Sequence, residues 1–187
     1  YVFGCIIAVA VSLPFVYLYI LPQHAKDRIT VFLNPQTDPL GAGYNIIQSM
    51  LAVGSGQVWG MGLFNGNQTQ LGYLPMKTTD FIYSVISEEM GFIVSALIIV
   101  LFVLLIVRIF HIAKNAKDTF GSLIAMGIGS MFLAHFIENV GMTIGLMPIT
   151  GIPLPFISYG GSSMLTNFIA LGILLSINRK RKKNMFL

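Results

Sequence analysis

Asp80 closes the run Leu74-Pro75-Met76-Lys77-Thr78-Thr79-Asp80, and Phe81-Ile82-Tyr83-Ser84 opens a helical pattern after it. A carboxylate in that position has two uses. At a helix N-terminus it caps free amides and complements the dipole, which is the ordinary reading of the pattern. At the mouth of a membrane bundle, with Lys77 nearby and Ser84 one turn on, it can take a proton from a substrate held at the lipid surface. Glu88 follows two turns later on roughly the same face, and Glu89 points elsewhere. Carboxylates at a membrane boundary can simply be solvated, so neither is a site by itself. His135 and Glu138 lie inside an apolar run, where a charge is costly and faces a cavity or a partner. Their spacing of three also lets them bond to each other.

Other chemistries are missing. There is no HExxH zinc motif, no recognisable serine, histidine and aspartate arrangement, and no phosphate-binding P-loop. Gly60-Met61-Gly62-Leu63-Phe64-Asn65-Gly66 has the wrong spacing for a dinucleotide fingerprint. Asn67-Gln68-Thr69 matches a glycosylation acceptor, a pattern short enough to arise by chance. The single Cys5 excludes a disulfide framework or a cysteine metal site.

The elements that must carry these groups are membrane helices. Of 187 residues, 55% are hydrophobic and only 10% charged, with a mean hydropathy of +0.79. An average soluble domain is about 25% charged. These figures exclude a disordered chain, a nucleic-acid-binding domain and most soluble enzymes. A helix needs about 20 apolar residues to cross the hydrocarbon core. Charge-free or nearly charge-free runs predict four transmembrane helices, at about 1–21, 87–110, 120–146 and 163–178. Pro148, Pro153 and Pro155 interrupt the last long run, so 147–162 reads as an extracellular or re-entrant loop. The fold class is thus all-α, a polytopic membrane helix bundle with a large extracellular loop at 22–86.

Basic residues set the orientation. Arg179, Lys180, Arg181, Lys182 and Lys183 lie in the tail 179–187, and Arg108, Lys114 and Lys117 lie in or beside the loop 111–119. With four spans these fall on one side, which the positive-inside rule makes cytoplasmic. The segment 22–86 sets Lys26, Arg28 and Lys77 against Asp27, Asp38 and Asp80, with no basic excess. The first span has no signal-peptide cleavage pattern, and the chain reads as the C-terminal part of a longer protein.

The long outer segment is too large for a plain connector. Its turn at Thr37–Gly43 precedes an amphipathic helix at about Tyr44–Val53, with Ile46, Ile47, Met50 and Leu51 on the apolar side. Such a helix can lie in the headgroup layer. Trp59 and Phe64 sit in the glycine-rich stretch that follows, and Trp59 reads as a membrane anchor before it reads as a ligand platform. Gly141 and Gly145 make a small-xxx-small pair of the helix-packing kind.

Several ordered motifs carry a resemblance. They are Asp38-Pro39-Leu40-Gly41-Ala42-Gly43-Tyr44-Asn45-Ile46-Ile47-Gln48-Ser49, Leu74-Pro75, Thr79-Asp80-Phe81-Ile82, Glu88-Glu89-Met90-Gly91 and Asn139-Val140-Gly141-Met142. The last runs from Pro153-Leu154-Pro155-Phe156 through Ile157-Ser158-Tyr159-Gly160-Gly161-Ser162. Together they resemble the C-terminal half of a SEDS protein (shape, elongation, division and sporulation), nearer the elongation branch than the division branch. The resemblance implies a ten-helix bacterial inner-membrane protein, of which these spans are the last four. It implies polymerisation of lipid II into glycan at the outer face, beside a class B penicillin-binding protein. A divalent cation, Mg or Mn, is implied with its ligands unknown, and no nucleic acid is involved.

The resemblance carries the family's essential aspartate onto Asp80. An α-linked diphosphate donor and a β-linked product require one inversion, so a single displacement with Asp80 as base suffices. Lys77 and Arg28 are candidates to stabilise the leaving undecaprenyl diphosphate. Glu89, Ser158 and Ser162 are further substrate-binding candidates, with packing or partner contact as the other reading of the serines. Many relatives have Pro-Glu before the motif and His two residues before the Asp. Met76 and Thr78 stand there, so that histidine is dispensable if this protein is active, and no role for the glutamate carries over. A lysine found before the last external loop's glycine in some division-branch relatives is Thr150 here. Two other classes remain: a lipid-linked precursor transporter, which broken helices and Glu138 suit, and a non-catalytic subunit recruiting a penicillin-binding protein. The segment alone is expected to be inactive, because half the bundle is missing from it.

Overall fold

The computed structural model describes residues 22–180, and every regular element among them is helical. The order is α1 Gln23–Leu33, a 3-10 turn at Pro35–Thr37, α2 Ala42–Ser55, α3 Asn67–Gln70, α4 Ile82–Lys114, α5 Thr119–Thr143 and α6 Gly161–Arg179. The expected first span at 1–21 and most of the basic tail, 181–187, lie outside the described residues.

Three helices, α4, α5 and α6, are long and apolar enough to cross a membrane. Their outward surface is apolar as well: Leu101 and Leu104 on α4, Leu123 on α5 and Phe168 on α6 are all exposed. A helix that is apolar all round needs lipid or protein against every face. A short turn joins α4 to α5, and the two share the most extensive packing of the bundle. Phe102 stacks on Phe136 with ring centroids 4.9 Å apart. Gly129 lets the helices approach, since a Cβ there would come within 3.0 Å of Ile109 Cγ2. Towards the basic end, Ala170 and Leu174 of α6 close the core against Ile109, Ala125 and Phe132.

α4 is broken where the loop-side segments meet it. Gly91 has φ +75° and ψ −175°, a conformation that essentially only glycine adopts. The loop at 57–62 is spliced into the break. Met61 N donates to Glu88 O at 2.9 Å and Gly62 N to Glu89 O at 3.0 Å. Phe92 N donates to Gln57 O at 2.9 Å and Ile93 N to Val58 O at 3.4 Å. In an unbroken helix, Phe92 and Ile93 would have bonded Glu88 and Glu89 instead. All four backbone groups are thus satisfied by the loop, which burial at a membrane boundary demands. The backbones touch closely enough that a Cβ on Gly60 or Gly91 would overlap the opposing chain.

The other elements shape the loop end. α2 turns Gly43, Ile46, Ser49 and Ala52 inward and leaves Met50 and Leu51 exposed. Its packed face is therefore smaller and less apolar than the pattern of large residues predicts, because α2 lies close against α4. Ser49 Oγ bonds Ser84 Oγ at 2.7 Å and donates to Thr143 O at 2.9 Å, tying α2 to α4 and α5. Gly145 lies beyond the helix that carries Gly141, although a Cβ there would come within 2.6 Å of Met50 Sδ. It follows the end of α5 at φ +75°, with Gly145 N bonded to Met142 O and Leu146 N to Gly141 O. That is the Schellman stop, which needs a left-handed residue there.

Candidate active site

The residues 78–80 are held by their backbone. Three consecutive carbonyls each accept a hydrogen bond from elsewhere in the chain. Tyr159 N donates to Thr78 O at 2.9 Å, Ser158 Oγ to Thr79 O at 2.6 Å, and Asn139 Nδ2 to Asp80 O at 2.9 Å. The two side-chain donors are themselves fixed. Ser158 Oγ accepts from Leu154 N at 2.8 Å, and Asn139 Nδ2 also donates to Ile152 O at 2.8 Å. Asn139 is fully buried, and Ser158 nearly so.

The Asp80 side chain is treated in the opposite way. It is half-buried, and its carboxylate accepts no hydrogen bond among the described residues. The capping role suggested by its position is not seen: α4 starts at Ile82 behind Phe81, without a side-chain cap. Gly151 lies beside the carboxylate, at φ +75°, and a Cβ on it would sit 3.5 Å from Asp80 Oδ2. Arg28 Nη1 donates to the neighbouring Thr150 O at 3.4 Å, which brings that cation into the same cluster. Two buried oxygens here, Asn139 Oδ1 and Thr150 Oγ1, have no hydrogen-bond partner among the described residues. The arrangement offers a free carboxylate, a guanidinium and unused acceptors on a fixed backbone. It suits a hydroxylated, anionic ligand.

A second polar cluster surrounds α3. Glu88 is fully buried, and its two oxygens accept Gln68 N at 2.8 Å and Thr69 N at 3.1 Å. It caps the short helix from outside its own segment. Gly66 makes room, since a Cβ there would come within 2.7 Å of Glu88 Oε2. Glu89 Oε1 accepts Gln70 Nε2 at 3.0 Å, and Lys77 Nζ donates to Thr69 O at 2.6 Å. The same packing buries Thr69, whose hydroxyl donates to Gly66 O, inside the sequence that matches a glycosylation acceptor.

Asp80, Arg28 and Ser158 therefore come together, while Lys77 and Glu89 gather with Glu88 around α3. Ser162 lies apart from both, at the start of α6. It lines a cavity of about 210 Å³ with His135, Pro153, Ser163, Thr166 and Asn167. No hydrogen bond joins His135 to Glu138 among the described residues. Ser84, one turn from Asp80, is fully buried and engaged by Ser49. Asn139, quoted in sequence only as part of a motif, and Gly151 are residues to which sequence reasoning gave no role. An amide within an apolar span was the available signal for Asn139, because such a group must find partners. No cluster of three His, Cys, Asp or Glu side chains that could hold a metal ion occurs among the described residues.

Comparison with known proteins gives one consistent picture. The FTSW_RODA_SPOVE family model, described as a cell cycle protein, matches residues 1–183. "Peptidoglycan glycosyltransferase RodA" of Treponema pallidum is 49% identical over 162 residues, which cover 87% of this chain and 37% of that protein. "Peptidoglycan glycosyltransferase MrdB" of Escherichia coli K12 is 40% identical over 177 residues, covering 95% of this chain and 48% of that one. A chain in the solved structure "Structural coordination of polymerization and crosslinking by a peptidoglycan synthase complex" aligns with a TM-score of 0.75 and 28% identity. The alignment covers 98% of the present chain and 50% of the solved one. The sequence thus spans about half or less of the length of these relatives.

Proposed function

The chain belongs to the FTSW_RODA_SPOVE family of cell cycle proteins, and from that premise we propose that it forms part of a peptidoglycan glycosyltransferase that polymerises lipid II, with Asp80 as the base. The observation that carries this reading is the contrast at Asp80. The backbone of residues 78–80 is fixed at three consecutive carbonyls, while the half-buried Asp80 carboxylate accepts no hydrogen bond among the described residues. A base must hold its position and still reach a substrate proton, and this arrangement meets both needs.

The step is a displacement. The acceptor hydroxyl oxygen forms a bond to the anomeric carbon of the donor. Its proton passes to a carboxylate oxygen of Asp80. The bond from that carbon to the diphosphate oxygen breaks, and the undecaprenyl diphosphate leaves with the electron pair. The carbon inverts once, and no sugar–enzyme bond forms. Arg28 is the cation of this cluster and is assigned to the charge that grows on the leaving diphosphate. Ser158 is assigned to positioning, since its hydroxyl already bridges Leu154 N and Thr79 O. Lys77 and Glu89 are assigned the same kind of task at α3, and Ser162 a contact in the cavity below Pro153. A divalent cation, Mg or Mn, would favour the same leaving group. The described residues assemble no set of ligands for it, so the step rests on Asp80 and Arg28. The site is assigned to the extracytoplasmic side of the bacterial inner membrane, with the C-terminus cytoplasmic and a class B penicillin-binding protein as partner.

The test is lipid II polymerisation by the purified full-length protein, with Asp80→Asn beside wild type and thermal unfolding as the folding control. Polymer should fall by about 100-fold or more in the variant, the usual contribution of a positioned base. Polymer synthesis by a folded variant at the wild-type rate would overturn the assignment. Movement of labelled lipid II across vesicles without any glycan product would favour a transporter instead.

A further inference from the structure

From Pro39 to Met76 the chain contains no Asp, Glu, Lys, Arg or His. A segment outside the membrane spans and immersed in water has no reason to avoid charge so completely. It also displays large apolar groups: Trp59 is 82% exposed, Phe64 79%, Leu63 60% and Val58 50%. Left in water, these side chains would forgo about 1.5–3 kcal/mol each of burial for the larger ones.

The splice at Gly91 fixes the height of this loop relative to the bilayer. The unbroken apolar part of α4 runs from Phe92 towards Arg108 and Lys114. Counted forward from Phe92, a hydrocarbon core of about 20 residues ends near His111, within the basic end of the helix. Counted back from Arg108, it begins near Glu88. Either count puts the break at the edge of the hydrocarbon. Gln57 and Val58 are bonded to Phe92 and Ile93, and Met61 and Gly62 to Glu88 and Glu89, at that same level. The exposed loop side chains are therefore continuous with the exposed Phe92, Ile93 and Leu97 of the span.

We propose that the loop from Gln57 to Phe64 is a membrane-interface anchor, with Trp59, Leu63 and Phe64 seated among the lipids of the leaflet at the loop end. Aromatic side chains favour the headgroup level because they combine a large apolar body with a polar or polarisable edge. The absence of charge over this stretch suits zwitterionic and anionic lipid alike, so affinity comes from apolar burial and not from charge attraction. Lipid is the occupant favoured over a protein partner by the continuity with the span and by the rigid backbone bonds at its boundary.

The test uses the full-length protein in phosphatidylcholine vesicles, with or without bromine at carbons 6 and 7 of one acyl chain. The emission of wild type minus that of Trp59→Phe isolates Trp59, whatever other tryptophans the protein carries. Bromolipid should quench this difference signal about twofold or more, as expected for an indole within the interface. A Phe64→Trp change in the Trp59→Phe background should report the same quenching from the other side of the loop. Difference signals that bromolipid leaves intact would overturn the proposal. Quenching by iodide alone would place the loop in water, and quenching by neither would place it under protein.

Discussion

Two carboxylates at the loop end are used in opposite ways. Glu88 has both oxygens engaged by backbone amides and no exposure, so the group is taken up in holding α3. Asp80 has its peptide engaged on the carbonyl side and its carboxylate unengaged among the described residues. A buried carboxyl group bonded at both oxygens by backbone amides helps to hold a shape, whereas a fixed carboxylate without such bonds retains the capacity to accept a proton. The difference teaches that a candidate base is told from a structural carboxyl group by unsatisfied side-chain valence and not by burial.

That comparison can be broken at four points. The largest effect belongs to Asp80→Asn, which should lower polymerisation by about 100- to 10,000-fold at an unchanged melting temperature. A matching loss of stability would mean that Asp80 is structural like Glu88. Gly91→Ala comes next. It adds a Cβ that overlaps the loop backbone at a φ of +75°, so it should destabilise by about 3 kcal/mol or more, seen in thermal unfolding. Glu88→Gln should follow, at about 2 kcal/mol, because a neutral amide replaces one acceptor by a donor facing an N–H group. Activity per folded molecule should be preserved; its loss with unaltered stability would move Glu88 into the chemistry. Ser158→Ala is the mildest. It removes the donor to Thr79 O and the acceptor for Leu154 N, for about 1–2 kcal/mol. Its kinetic effect should fall on kcat through a less fixed Asp80, and a change confined to KM would instead indicate direct substrate contact.

The parts of this structure that announce themselves in sequence are those governed by bulk hydrophobicity. The runs that become α4, α5 and α6 are apolar over lengths that suit membrane spans. Pro148, Pro153 and Pro155 fall in the irregular stretch between α5 and α6. Asp80 was legible through its motif, whereas its local pattern suggested a cap that α4 does not have. Glu88 and Glu89 looked like an ordinary boundary pair, because the amides that engage Glu88 lie 19 and 20 residues away on α3. Gly60 and Gly91 are far apart in sequence, and neither shows alone that it faces the other's backbone. Gly145 looked like a packing glycine because its spacing from Gly141 is also the spacing of a helix stop. Pattern reading fails where one polar or glycine position answers to a partner outside its own window.

The donors that hold Asp80 have a consequence for biogenesis. Asn139 lies 59 residues beyond the carbonyl it engages, and Ser158 lies 79 residues beyond Thr79. A nascent chain inserts Asp80 long before the groups that fix it have been synthesised. The backbone of residues 78–80 can be secured only when α5 and the proline-containing turn before α6 are both in place, so a chain stalled before Tyr159 would carry Asp80 on an unsecured loop.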